Sequence, residues 1–162
     1  MSALHAASPS RELMQRAIDL ASESARGLGG PFGALVVRAG EVVACGTNQV
    51  TATSDPTAHA EIVAIRAACA KLGTFSLAGC EVYASCEPCP MCLAALYWAR
   101  VDRVVHACTR ADAARAGFDD QFLYDELERA PGQRKLALVP FLRDEGLTAF
   151  EAWLANSGRV PY

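Results

Sequence analysis

The sequence predicts an α/β protein folded as one layered domain. Two observations carry this: stretches with helical spacing alternate with short strand-like stretches around brief loops, and 52% of the 162 residues are apolar. A chain of this length can bury roughly 70% of its unfolded surface, enough for one core. No repeat, low-complexity tract or linker divides it, so residues 1–162 are expected to form one domain.

Residues 1–8 read as a loose tail. Ser8-Pro9 is a plausible cap followed by a first-turn proline. Leu13, Met14, Ala17, Ile18, Ala21, Ala25 and Leu28 then recur with helical spacing, and Gly27 with Gly29-Gly30-Pro31 ends the helix. Phe32–Val37 and Glu41–Cys45 read as a hairpin around Arg38-Ala39-Gly40. A polar loop, 46–57, follows, in which Asp55-Pro56 or Thr57 caps the next helix. That helix carries the stripe Ile62, Ile65, Cys69 and Leu72 and stops at Gly73. Cys80–Ser85 is a strand, Cys86–Pro90 a proline-rich turn, Met91–Arg100 a buried helix and Arg103–Ala107 a further strand. Asp112–Arg129 is acidic and partly helical, with 117–120 as a loop, and Pro131-Gly132 breaks it. Leu136–Leu142 reads as a last strand and Leu147–Leu154 as a last helix.

Charge excludes some functions. Fifteen basic against 18 acidic residues give a formal charge of −3, with no basic stripe of the kind nucleic-acid binders carry. The most apolar charge-free run, 88–99, is shorter than the roughly 20 residues a spanning helix needs. The N-terminal residues lack the basic and apolar regions of a secretory signal, so the expectation is a cytoplasmic protein away from membranes. Seven cysteines in such a compartment do not make a disulfide framework. Cys45, Cys69, Cys80 and Cys108 sit among apolar neighbours, as small buried hydrophobes do.

Cys86, Cys89 and Cys92 are clustered, and here the chemistry concentrates. His59-Ala60-Glu61 opens one helix and Pro88-Cys89-Pro90-Met91-Cys92 opens the next, one strand later. Cys89 and Cys92 share a face of a first helical turn, where unpaired N–H groups and the helix dipole favour thiolates. Two thiolates and an imidazole suit zinc, and three protein ligands leave one vertex of a tetrahedron for water. Zinc lowers the pKa of bound water to about 7, which supplies a nucleophile at neutral pH. Glu61 lies roughly 200° from His59 on an ideal helix, so spacing alone does not bring it to the metal. It is a poor co-ligand and stays available as a proton carrier. Alone, Cys-x-x-Cys would equally fit a structural zinc or a redox pair. Cys86 could close the site as a fourth ligand, but Pro88 opposes a helix continuing through it, which favours a buried thiol outside the metal set.

His-x-Glu followed by Pro-Cys-x-x-Cys is the signature of zinc nucleobase deaminases. The chain resembles the cytidine deaminase-like superfamily and, within it, the small bacterial guanine deaminases. The resemblance also rests on Gly30-Pro31-Phe32-Gly33-Ala34, Asp55-Pro56-Thr57-Ala58, Tyr97-Trp98-Ala99-Arg100 and Gly117-Phe118-Asp119-Asp120. It implies a three-layer α/β/α sandwich over a mixed sheet, with His59, Cys89 and Cys92 on zinc and Glu61 as proton shuttle. It further implies that Phe32, Asn48, Trp98, Asp120 and Tyr162 line a purine pocket. Homodimers are implied too, in which the C-terminal segment, about 147–162, covers an active site, its own or the partner's.

The pocket residues suit a purine chemically. Phe32 and Trp98 offer stacking faces, Asn48 pairs with a base edge, and Asp120 accepts from N–H groups or carries a second proton. Each has a plainer reading: Phe32 and Trp98 as core, Asp119 and Asp120 as solvated loop carboxylates, Tyr162 as a frayed end. The expected reaction is hydrolysis of guanine to xanthine and ammonia. Its rivals are guanosine, ammeline or another aminated heterocycle, adenosine in tRNA, and a non-catalytic zinc or redox module.

Overall fold

The computed structural model describes residues 8–161, so most of the expected N-terminal tail, and Tyr162, lie outside the described residues. The chain divides into two compact units, residues 1–122 and 123–162.

The first unit is built on a four-stranded sheet. Its strands are β1 (Gly33–Arg38), β2 (Glu41–Thr47), β3 (Cys80–Cys86) and β4 (Arg103–Cys108), in the order β2-β1-β3-β4. β1 runs antiparallel to β2 and β3, and β3 parallel to β4, so the sheet is mixed as expected. Ala39 and Gly40, both at positive φ, make the tight turn of the β1–β2 hairpin. β3 is an inner strand and buried throughout, its polar Glu81 and Ser85 included.

Side chains alternate across the sheet, and each face has its own core. Leu35, Val37 and Tyr83 pack with Ala17 of α1 (Arg11–Arg26). Ala34, Val36, Cys80 and Val82 pack on the other face with Ala60, Ala64 and Ala68 of α3 (Ala60–Leu72) and Leu96 of α4 (Pro90–Trp98). This is a three-layer α/β/α sandwich. The short α2 (Val50–Thr53) sits within the loop expected at 46–57.

Two glycines set the spacing between layers. A Cβ on Gly33 would come within 2.5 Å of the Ala17 carbonyl and 2.7 Å of the Ala21 nitrogen. One on Gly46 would strike the Ala60 carbonyl and lie 2.6 Å from the Ala64 nitrogen. α3 therefore rests so close to the sheet that only small residues fit beneath it. This corrects the stripe expected for that helix. Ala60, Ala64 and Ala68 face the sheet with Ile62 buried nearby, whereas Ile65, Cys69 and Leu72 pack at the margin.

Helix starts differ from expectation at two points. Ser10, not Ser8, caps α1: its Oγ accepts from the Leu13 N–H, and its own N–H donates to the buried Tyr83 hydroxyl at 2.9 Å. That bond ties the helix start to the sheet and leaves Pro9 outside. α3 is capped by neither Asp55-Pro56 nor Thr57, because the Asp55 carboxylate accepts from both the backbone and hydroxyl of Thr57 and closes its own turn. The N-cap of α3 is His59. On the adjacent strands β3 and β4, Glu81 and Arg103 are register partners and form a largely buried ion pair.

α5 (Arg110–Arg115) opens with a capping box between Thr109 and Asp112. α6 (Gln121–Glu128) follows the loop at 117–120 and crosses the boundary between the units. The second unit continues through a 3-10 turn (Pro131–Gln133) to α7 (Arg143–Ala155). The Arg134 guanidinium caps α6 by donating to the carbonyls of Glu126, Leu127 and Arg129. No strand forms at 136–142, against expectation. A strand needs a neighbour for its N–H and C=O groups, and this unit contains no other among the described residues. None of its described residues is buried, and Leu136, Val139, Phe141, Phe150 and Leu154 are mostly exposed.

Candidate metal centre and active site

Two helix N-termini supply the reactive side chains. His59 is the N-cap of α3 and Cys89 the N-cap of α4, both with extended backbone (ψ 158° and 167°). Neither side chain caps its own helix, so both are available to meet elsewhere. Pro90 occupies the first turn of α4, where its missing N–H costs nothing, and Cys92 follows one turn on.

The three side chains converge. His59 Nδ1 lies 3.5 Å from the sulfur of Cys89 and 3.5 Å from that of Cys92, with all three donor atoms within 4.8 Å of one another. A tetrahedral zinc with ligand bonds of about 2.0 and 2.3 Å puts nitrogen and sulfur roughly 3.5 Å apart, so the triangle fits that ion without rearrangement. Electrostatics favour it as well. The hydrogen bond from the Cys92 thiol draws Cys89 down to about 4, and the same bond pushes Cys92 up, so without metal the two sulfurs hold one proton between them. His59 is raised mainly by its contact with Cys89. A divalent cation held by these residues would displace that shared proton and take both sulfurs as thiolates.

Cys86 does not belong to the set. Its thiol is buried, donates to the Thr109 carbonyl at 3.5 Å, and is pushed up to about 11 by burial. Three protein ligands then leave a tetrahedral metal one open vertex, the arrangement of catalytic rather than structural zinc.

A cavity of about 60 Å³ opens beside the triangle. His59 and Cys89 form one wall together with Glu61, which is only 8% exposed and raised by burial. The helical-wheel divergence of His59 and Glu61 does not operate, because His59 stands at the cap in extended conformation. Phe32, Asn48 and Asp120 also line the cavity. The Asn48 carbonyl accepts from the Gly30 and Val50 N–H groups, at 3.4 and 3.2 Å, which orients the amide and leaves its nitrogen to donate. Asp119 and Asp120 divide their tasks: Asp119 accepts from the Gln121 N–H at the start of α6, whereas half-buried Asp120 faces the cavity and is raised by desolvation.

Trp98 is not in that wall. It ends α4 with 63% of its surface exposed, and the Arg100 guanidinium lies 6.0 Å from its ring centroid. Tyr162 lies outside the described residues. Two lining residues were not expected from the sequence, Glu87 and Phe118. Glu87 accepts from the Arg110 N–H at 3.0 Å, and Phe118 meets Phe32 edge to face with centroids 4.9 Å apart. Their only signal was adjacency, Glu87 to the cysteine motif and Phe118 to Asp120. Larger surface hollows beside α1 and α4, of about 350 and 360 Å³, contain none of the metal-ligating side chains.

Comparison with known proteins agrees with this geometry. The family described as the cytidine and deoxycytidylate deaminase zinc-binding region matches residues 7–108. Guanine deaminase of Bacillus subtilis is 49% identical over 150 residues, covering 92% of this chain and 96% of that one. The crystal structure of guanine deaminase from that organism superposes with a TM-score of 0.92 and 45% identity, over 96% of this chain and 99% of that chain. A guanine deaminase structure from Nitrosomonas europaea gives a TM-score of 0.65 at 32% identity, over 88% and 74%. The tRNA-specific adenosine deaminase of Aquifex aeolicus is 47% identical, but over only 46% of this chain and 50% of that one. The chain belongs to the zinc-dependent deaminase family of the cytidine and deoxycytidylate deaminases, in the branch that holds the bacterial guanine deaminases.

Proposed function

We propose that this protein is an aminohydrolase that converts guanine and water to xanthine and ammonia. The observation that carries the reading is the zinc-ligand triangle of His59, Cys89 and Cys92 at the edge of a cavity holding Glu61 and Asp120. Zinc, when bound, supplies the Lewis acidity that makes water a nucleophile at neutral pH. Every other task falls to side chains. Glu61, held in a dry environment that raises its proton affinity, takes one proton of the attacking water to the ring nitrogen, then carries the proton of the resulting hydroxyl to the amine, which leaves as ammonia as the carbonyl forms. Asp120 accepts from the base's N–H groups and serves as a second proton carrier. The Asn48 amide nitrogen donates to an acceptor on the purine edge, and Phe32 stacks on its face.

The second unit and Trp98 enter through assembly. We read the protein as a cytoplasmic homodimer in which the C-terminal segment, including Tyr162, covers a site, with Trp98 completing the pocket there. The exposed apolar residues of the second unit support this, since a segment none of whose described residues is buried needs a surface to cover. The seven free cysteines fit a reducing compartment, and among the described residues no helix is long and apolar enough to cross a membrane.

Acidic balance and the partial extent of the tRNA deaminase match weigh against adenosine in tRNA. The bond from Cys86 to Thr109 weighs against a closed structural zinc or a thiol relay. The test is ammonia release from guanine, guanosine, ammeline and an adenosine-containing tRNA stem. Guanine is expected to be turned over best; preference for any of the others overturns the substrate assignment.

A further inference from the structure

We propose that Phe118 is a positioning residue for the base: it braces Phe32 and holds the loop that presents Asp120. The inference rests on the guanine reading above and assigns a role to a side chain that the family signature leaves without one.

Three observations combine. First, the Phe118 and Phe32 rings meet edge to face, at 85° with centroids 4.9 Å apart, near the favoured geometry for an aromatic pair. Second, both rings line two cavities at once. One is the 60 Å³ cavity beside the metal ligands, and the other is an apolar cavity of about 150 Å³ bounded also by Cys86, Cys108 and Ala113. The aromatic pair is thus a shared wall, and the space behind Phe32 on that side is not packed solid. Third, the backbone of Phe118 is fixed rather than loose. Its N–H donates to the carbonyl of buried Ala113 at 3.0 Å, and the Gly117 N–H donates to Ala114. Gly117 takes a φ of +90°, a conformation other residues rarely adopt, to turn the chain there. Asp120 follows two residues later.

Removing the ring therefore does more than delete an exposed apolar surface. It joins the two cavities, admits water behind Phe32, and frees that ring to tilt away from the plane it must keep to stack on a base. The backbone bonds at Gly117 and Phe118 stay in place, but the ring contact that ties the Asp120-bearing segment to Phe32 is lost. A residue acting this way changes how well the base is held and oriented, and leaves the metal ligands untouched.

The test uses the zinc-loaded protein with Phe118→Ala, Phe118→Leu and Phe118→Tyr, each checked for metal content and thermal midpoint. Phe118→Ala is expected to raise KM for guanine about 5- to 100-fold, the span of losing a base-stacking contact. Phe118→Tyr, which keeps the ring, should restore KM to within about twofold, and Phe118→Leu should not. A double-substitution cycle with Phe32→Leu separates bracing from simple loss of bulk. Once Phe32 is gone, replacing Phe118 should cost far less than in the parent. Unchanged KM in Phe118→Ala, full recovery by leucine, or strictly multiplicative effects in the cycle each overturn the proposal. Should the parent release no ammonia from guanine, the functional reading falls by itself. The brace is then judged by equilibrium dialysis of guanine against parent and Phe118→Ala, and equal binding, or none to the parent, overturns it.

Discussion

His59 and Glu61 line the same cavity from one helix start, the histidine from the extended N-cap residue of α3 and the glutamate from its first turn. The imidazole thereby joins the triangle that could hold a metal, while the carboxylate, 8% exposed, lines the cavity outside that triangle. This division of labour predicts that Glu61→Gln leaves zinc content at that of the parent and lowers kcat by about 10²- to 10⁴-fold, the range for loss of a general acid–base group. Metal analysis beside steady-state rates checks it. Activity within tenfold of the parent would remove Glu61 from the proton path.

The same burial makes Glu61 a liability for folding. Desolvation raises its pKa above the ordinary value of 4.5, so the fold favours the protonated form. For a group raised on folding, the stabilising contribution is fully present below the unfolded pKa and is lost as pH rises through the folded one. Metal-free Glu61→Gln should therefore melt higher than the metal-free parent at pH 7, and the gap should close as pH falls towards 4.5. Each kcal/mol is worth about 2–4 °C in a protein of this size. A gap that widens on acidification contradicts the sign.

How much of this could be read from the letters divides along a physical line. His59, Cys89 and Cys92 are legible because metal ligation constrains residue type and spacing together, and the four strands of the sheet are legible as short apolar runs, two of them around a hairpin turn. Three features depended on neighbours that no local pattern records. The alanine face of α3 is dictated by Gly46 on another strand, and the missing strand at 136–142 by the lack of an edge to pair with in its own unit. Phe118 gains meaning only against Phe32, far away in sequence. Glu61 was misplaced on the wheel because a helix was assumed to begin before His59.

Gly46 offers a direct test of that layer spacing. A methyl group there meets the backbone of Ala60 and Ala64, one residue beyond His59 and one turn after it, and neither backbone can yield without shifting α3. Gly46→Ala should cost about 1–3 kcal/mol as overpacking does, lowering the thermal midpoint by several degrees. Because the displaced helix carries His59, zinc affinity should fall along with stability. Calorimetry and a chelator competition measure the two separately, and unchanged values in both would place the helix farther from the sheet.

The cysteines predict a sharp contrast. Cys86→Ser should retain one zinc per chain and near-parent rates, since its sulfur bonds to the Thr109 carbonyl and lies outside the metal triangle. Cys92→Ser should lose most of its zinc, because Cys92 is fully buried and is one of the three side chains that, among the described residues, converge to hold a metal. Metal-to-protein ratios after dialysis decide the matter. Zinc loss in the Cys86 variant equal to that in the Cys92 variant would make the site a four-ligand structural one, and the hydrolytic reading would fail.

Truncation of residues 150–162 tests the role of the C-terminal segment. The first unit holds all three candidate zinc ligands together with Glu61, Asn48 and Asp120, and has its own buried cores on the two faces of its sheet. The shortened protein should therefore fold and bind zinc at the parent's ratio. Phe150, Trp153 and Leu154 leave with the segment, and these exposed apolar side chains are the ones a partner surface would cover. Light scattering should then report a smaller species than the parent gives, and kcat/KM for guanine should fall by at least about tenfold as the pocket stays open to water, which weakens every electrostatic contact within it. A truncated protein of parental mass and rate would mean that the site is complete without its C-terminal residues, and the exchanged-segment dimer would have no functional basis.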